Sequence, residues 1–153
     1  MTSIVLVHPE IPGNTGAVGR TCVALGMELV LIHPLGFDIS DTRVKRAGLD
    51  YWPHIRLVEY ASWTDFLAER SPRDDQLFLF EEYAPRSFYE PDYPADAYLV
   101  FGRETKGIPA EIVEAHREQM VSLPMRSDKV RSLNLANTVA AAAYQAMRRH
   151  IAG

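Results

Sequence analysis

The sequence predicts an α/β fold, a mostly parallel sheet with helices on both faces. Three observations predict it. Short apolar runs alternate with segments of helical pattern, and that alternation buries a parallel sheet between two helical layers. Two of the runs end in turns, at Phe101-Gly102 and Leu123-Pro124, and turns at the carboxyl ends of strands are where open α/β sheets bind ligands. The chain has 153 residues, 47% of them hydrophobic, which suits one domain over residues 1–153 with a single sizeable core.

Ser3 to Val7 is the first strand. Asn14 is placed to cap a helix running to about Leu25, with Gly26 as its C-terminal stop. Glu28 to Ile32 forms the second strand, Asp41 caps a short helix ending at Gly48, and Ile55 to Glu59 forms the third strand. Ser62 caps a further short helix that closes before Pro72. Three more strands follow, Leu77 to Phe80, Tyr98 to Phe101 and Val121 to Leu123, the last two separated by a helix with Pro109 near its first position. Glu81 to Asp96 is rich in Pro and Tyr and has no clear period, so it reads as a surface connection. The last helix, Asn134 to about Ile151, sets Leu135, Val139, Ala142, Ala146 and Met147 on one stripe. Its many alanines let another helix approach closely, with Tyr144 a candidate for that contact and ordinary burial the alternative.

The opening apolar run stops at His8-Pro9, too short for a signal-peptide core, and no stretch is long enough to cross a bilayer. A cytoplasmic protein with no membrane partner is expected. The single cysteine, Cys22, sits in an apolar helical pattern and reads as a buried structural thiol. The formal charge of −4 argues against a general nucleic-acid coat, but it is unevenly placed. Asp65 to Asp96 hold nine acids against three bases, so the remainder of the chain carries a slight basic excess. Arg43, Lys45 and Arg46 form one basic cluster and Arg126, Lys129 and Arg131 another. These are phosphate contacts if the fold joins them, and two solvated loops if it does not.

Several chemistries are set aside by spacing. Gly13, Gly16 and Gly19 recur every third residue, which is not G-x-G-x-x-G, and no acid stands about twenty positions further on at a strand end. The five histidines are scattered, with no ligand spacing among them, and no metal is expected. There is no G-x-S-x-G elbow. Two distant constellations remain. The first is Pro12 to Arg20, where Arg20 projects from a helix among small residues; the second joins Gly102, Glu104, Gly107, Ser132 and Asn134. Each residue also has a plainer reading: Arg20 as a surface or salt-bridging arginine, Glu104 as a cap of the segment after it, and Ser132 and Asn134 as caps of the final helix. Asn134 can do both jobs.

N-T-G-x-x-x-R after the first strand, F-G-x-E-x-x-G after the fifth, and L-P-M followed by S-L-N-L-A-N resemble the three signature blocks of the SPOUT methyltransferases. These are knotted enzymes that methylate RNA with S-adenosyl-L-methionine. The similarity covers essentially the whole chain. The opening P-E-I-P-x-N-T-G and the block Arg46 to Tyr51 are most similar to members that methylate the ribose 2′-hydroxyl of the wobble nucleotide, cytidine or modified uridine, in leucine tRNAs.

The resemblance implies that the C-terminal part threads a loop into a trefoil knot. It also implies a homodimer whose active site draws on both subunits, with tRNA as partner. Carried over by motif position, Arg20 is catalytic, and Phe80, Gly102, Leu123 and Ser132 hold the cofactor, largely through main-chain groups. Gly102 is then bare because a side chain would occupy the ligand's space. Asn14, Glu104 and Asn134 are further site residues, and Arg43, Lys45, Arg46, Arg126, Lys129 and Arg131 contact RNA phosphates. A guanidinium is hard to deprotonate, so Arg20 is better suited to orienting a phosphate and stabilising the developing alkoxide than to acting as a literal base. Two alternatives stand beside this reading. One is a knotted RNA-binding protein without catalysis, as in ribosome assembly; the other is a ribose methyltransferase for another RNA position. The intact Arg20 and the complete third block favour an enzyme.

Overall fold

The computed structural model describes residues 1–47 and 50–151; the predicted helix end at Gly48 lies outside them. Six strands, β1 (Ser3–Val7), β2 (Glu28–Ile32), β3 (Arg56–Tyr60), β4 (Leu77–Phe80), β5 (Tyr98–Phe101) and β6 (Met120–Val121), form one sheet in the order β3-β2-β1-β5-β4-β6. Every neighbouring pair is parallel. Val5 aligns with Val30 on one side and Val100 on the other, so the sheet centre is a row of branched apolar side chains.

Because successive side chains of a strand point to opposite faces, each apolar run supplies both layers of the core. Ile4, Leu6, Leu29, Leu31, Leu99 and Phe101 face α1 (Pro12–Leu25) and α5 (Leu135–Ile151), which contribute Val18, Cys22, Val139, Ala142, Ala143 and Ala146. Val5, Val7, Val30, Ile32, Leu79 and Val100 face α3 (Trp63–Arg70) and α4 (Ala110–Ala115), which contribute Phe66, Ile112 and Val113. The two-faced parallel sheet expected from the sequence is thus observed. Burial pushes the Cys22 thiol up to about 12, as suits an inert core group.

The glycines of α1 serve packing. A Cβ on Gly16 would strike the Val44 carbonyl and Ala47 of α2 (Thr42–Ala47), and one on Gly19 would lie 2.5 Å from Ile55 Cδ1. Ile55 therefore packs on α1, and β3 begins one residue later than predicted. Asp41 and Ser62 accept the expected capping bonds, from the amides of Arg43 at 2.8 Å and Asp65 at 3.1 Å. Asn14 does not cap α1. The N-cap is Ile11, with Pro12 inside the first turn and Gly26 ending the helix at φ 65°. Pro109 is likewise the N-cap of α4 and not its first residue.

The largest departure is Glu81 to Asp96, which is not a surface connection. Phe88 and Tyr93 are buried. Tyr93 packs at a tilt against Phe78, ring centres 4.5 Å apart, and donates its hydroxyl to the Phe88 carbonyl at 2.6 Å. The same segment exchanges backbone bonds with Ser122, so β6 is only two residues long and the chain after it pairs with residues 86–88.

Candidate active site

The strand order reverses between β1 and β5. β1 leads through α1 to one side and β5 leads through α4 to the other. The loops diverge and leave a crevice at the carboxyl ends, the usual ligand position in such sheets. It forms a cavity of about 800 Å³, a volume typical of small-molecule sites. Phe80 and Phe101, the last residues of β4 and β5, stack at 4.7 Å and line it with Leu123. Arg103, Lys106 and Arg131 add positive charge to its lining.

Two turns shape the wall. Arg103 and Gly107 exchange backbone bonds of 3.0 and 2.9 Å, with Gly107 at φ 69°. A Cβ on Gly102 would run into the Gly107–Ile108 backbone. Gly102 is bare so that its own chain can fold back on the end of β5, which replaces the expectation that the ligand alone requires the space.

The start of α1 is held from across the cavity instead, through the amides of Glu10 and Ile11 and the side chain of Asn14. Glu104 Oε1 accepts from the Glu10 amide at 2.8 Å, and Oε2 accepts from the Ile11 amide at 3.0 Å and from Asn14 Nδ2 at 3.2 Å. A carboxylate at a helix start is favoured by the helix dipole as well as by these donors. Asn134 Nδ2 then donates to Asn14 Oδ1 at 3.1 Å, while Asn134 Oδ1 accepts the Asn137 amide at 3.3 Å and caps α5. Asn134 therefore does two jobs. Glu104 does not cap the segment after it; it joins the β5–α4 loop to the start of α1. Glu10 returns the connection, accepting from the Thr105 amide and hydroxyl at 3.0 and 2.9 Å. These Thr105 bonds hold the Glu10 carboxyl below its ordinary range. Residues from three distant segments are thus clamped around one cavity.

Phe80, Gly102, Leu123, Ser132, Asn14, Glu104, Asn134 and Arg131 all line the cavity. Arg20 does not line it within the same chain. It is exposed on α1 with its guanidinium 4.7 Å from the centre of the Tyr51 ring. The basic clusters belong to different segments: Arg43 of α2 pairs with Asp41 at 2.8 Å, with Lys45 and Arg46 exposed beside it, while Arg126, Lys129 and Arg131 stand on the exposed 124–134 segment.

A model of the SpoU rRNA Methylase family matches residues 1–144. The chain belongs to the SpoU methylase family. It is 44% identical over 150 residues to the tRNA (cytidine(34)-2'-O)-methyltransferase of Burkholderia cenocepacia (strain HI2424), covering 97% of this chain and 96% of that one. A solved structure concerned with 2-OH methylation of C/U34 on tRNA superposes with a TM-score of 0.92 at 43% identity, over 100% of this chain and 98% of that chain. The SpoU methyltransferase AviRb of Streptomyces viridochromogenes, solved with AdoMet, superposes with a TM-score of 0.80 at 26% identity, over 99% of this chain and 61% of that one.

Sequence reasoning passed over two parts of this SpoU-family cavity. One is Glu10, whose role depends on Thr105 far along the chain. The other is Glu81, whose signal was present: a charged residue directly after the apolar run Leu77 to Phe80, at a strand's carboxyl end. Glu81 lines the cavity, is only 8% exposed, and accepts the Ile108 amide at 2.5 Å. Burial raises its pKa, an effect that the Ile108 amide and Arg103 only partly offset.

Proposed function

We propose that this SpoU-family protein transfers the methyl group of S-adenosyl-L-methionine to the ribose 2′-hydroxyl of the wobble nucleotide, position 34, of tRNA, with leucine isoacceptors as substrates. The supporting observation is the 44% identity along nearly the whole length to an enzyme of that name, in a chain whose matching blocks line one switch-point cavity.

The lining suits the cofactor. Phe80, Phe101 and Leu123 offer an apolar seat for an adenine ring, and Arg103, Lys106 and Arg131 suit a carboxylate. When bound, the cofactor supplies a methyl group on a sulfonium, which the ribose oxygen displaces in line so that sulfur leaves as a neutral thioether and the hydroxyl proton is released. The protein's part is alignment and exclusion of water. Phe80, Gly102, Leu123 and Ser132 would hold the cofactor through main-chain groups of the cavity wall. Asn14, Glu104 and Asn134 keep the wall rigid. Arg20 orients the nucleotide phosphate and stabilises the developing alkoxide.

Arg20 stands outside its own chain's cavity, so the Arg20 that serves each site comes from the partner subunit of a homodimer. Two features support an interface near α1 and α5: Tyr144 is 56% exposed on α5, against the alternative of ordinary burial, and the surrounding alanines allow close approach. The C-terminal segment forms the trefoil knot, a reading supported by residues 131–135 lining the same cavity as the 102–107 turn. Arg43, Lys45, Arg46, Arg126, Lys129 and Arg131 contact tRNA phosphates, and the enzyme works in the cytoplasm, where its substrate is.

The test is incubation of the purified protein with S-adenosyl-L-methionine and leucine tRNA transcripts, followed by nuclease digestion and mass mapping. A ribose methyl at nucleotide 34, lost when that nucleotide is 2′-deoxy, is the expected result. Methylation elsewhere, or RNA binding without any transfer, rejects the reading.

A further inference from the structure

Of the three carboxylates that line the cavity, Glu81, Glu82 and Glu104, the first and last are held by hydrogen bonds from its walls, and they differ in how completely they are used. Glu104 has donors on both oxygens. Glu81 has one, the Ile108 amide on Oε1. None of the described residues donates to Oε2, although the side chain is more than nine-tenths buried in the lining. A carboxylate offers about four lone-pair sites, and Oε2 is not sealed from solvent, so a ligand's donor can reach it from the cavity. The position is built for the group: Gly107 presents a bare Cα to it, where a Cβ would lie 2.5 Å from Oε1 and 2.9 Å from Oε2. The cavity therefore presents an unfilled acceptor.

We propose that Glu81 is a specificity-determining contact that accepts hydrogen bonds from the ribose 2′- and 3′-hydroxyls of the bound nucleoside cofactor. The proposal rests on the methyl-donor reading of the cavity. Glu81 directly follows Phe80, whose ring stacks on Phe101, so it lies beside the part of the cavity suited to the apolar base. The sugar is the donor-bearing group next to that base. An acidic side chain at the end of a strand is also a general solution for holding a vicinal diol.

Glu81 could instead be only a latch on the Ile108 amide, and Glu81→Gln separates the two roles. A glutamine carbonyl still accepts from Ile108, whereas its amide nitrogen cannot accept from a hydroxyl. Calorimetric titrations with S-adenosylmethionine, S-adenosylhomocysteine and 5′-methylthioadenosine, which lacks the amino-acid part, are made on the parent and the variant, together with melting curves. The variant is expected to melt like the parent and to bind all three about tenfold or more weakly, the loss that follows from removing a hydrogen bond to a charged group. Removing both hydroxyls from methylthioadenosine should weaken binding to the parent and change little in Glu81→Gln.

Unchanged affinities in the variant overturn the proposal and leave the latch. Weakening confined to the two amino-acid-bearing ligands also overturns it, since the contact would then be to the ammonium. If the variant does not fold, the parent decides alone: a dideoxy analogue that binds as tightly as methylthioadenosine overturns the proposal, and one weakened tenfold or more supports it. A parent protein that binds none of the ligands rejects the methyl-donor reading itself, which is a distinct result.

Discussion

The two ends of the sheet use carboxylates in opposite ways. At the amino end, Glu28 of β2 is closed off: Arg70 reaches it with two bonds of 2.9 and 3.1 Å, and the Ser3 hydroxyl adds a third at 2.9 Å. Burial pushes the Glu28 carboxyl up, but the bonds from Arg70 and Ser3, with the Arg70 charge, together hold it below its ordinary value. At the carboxyl end, Glu104 is spent on backbone amides to fix a cavity wall and Glu81 keeps an acceptor open inside it. One end is satisfied and serves stability. The other is rigid at its rim and unsatisfied within, as a ligand site must be.

The largest expected effect is at Arg20. Arg20→Ala should lower methyl transfer to tRNA by on the order of a thousandfold, as for loss of a transition-state charge partner, while cofactor affinity by calorimetry stays near that of the parent. Near-parental turnover would remove Arg20 from the mechanism. Next is Arg70→Ala at the opposite end. Its partners are partly exposed, 22% for Arg70 and 16% for Glu28, so the loss should be about 2–3 kcal/mol, somewhat below that of a fully buried pair. Urea unfolding measures it, and kcat should be untouched.

The same pair sets a pH dependence. With the Glu28 carboxyl held below its ordinary value, its stabilisation is complete above the ordinary carboxylate pKa and is lost as pH falls through the lower folded value. The acid slope of stability should flatten in Arg70→Ala. An unchanged slope would mean that the amino end is not the acid-sensitive one.

On the RNA side, Arg126 and Lys129 stand on the exposed 124–134 segment, away from the amino-end pair. Changing both to Ala should reduce the slope of log affinity for tRNA against log salt by about 1–2, without moving the melting temperature or cofactor affinity. A full slope would place the phosphate contacts elsewhere.

The smallest effect concerns His116. Its Nε2 is buried without a partner among the described residues, and its ring meets Trp63 edge-on at 5.7 Å. Burial holds its pKa below the usual histidine value, against the opposing charge of Asp74. Stability then declines as pH falls through about 6.5, where the unfolded chain takes up the proton. His116→Phe should flatten that decline, and thermal melts at pH 7.5 and 5.5 would show it.

What the sequence revealed divides along the same line. The sheet was legible because its central strands are buried on both faces, so their runs are almost wholly apolar; β1, β2, β4 and β5 match their predicted ends, while the edge strand β3, with exposed Arg56 and Glu59, is shifted by one residue. Residues 81–96 were not legible, because Phe88 and Tyr93 reach the core from an aperiodic loop. The site residues were legible as motifs, but their partners were not. Asn14 was expected to cap its own helix, yet its side chain donates to Glu104, ninety residues further along, which also holds the Glu10 and Ile11 amides ahead of that helix. Gly102 was read against a ligand, yet what approaches it is Gly107 and Ile108 of the same loop. Local spacing carries capping and turn signals; it carries nothing about which two loops a fold places face to face. For Arg20, which lies outside its own chain's cavity, the proposed partner subunit is likewise beyond what local spacing can carry.

Mixed dimers test this arrangement most directly. One protomer carries Arg20→Ala and the other Ser132→Trp, which fills the cavity mouth. Each variant alone should be inactive, and the purified mixed dimer should recover about half of the parental methyl transfer to tRNA, because one of its two sites joins an intact cavity to an intact partner arginine. A mixed dimer as inactive as its parents would contradict the account.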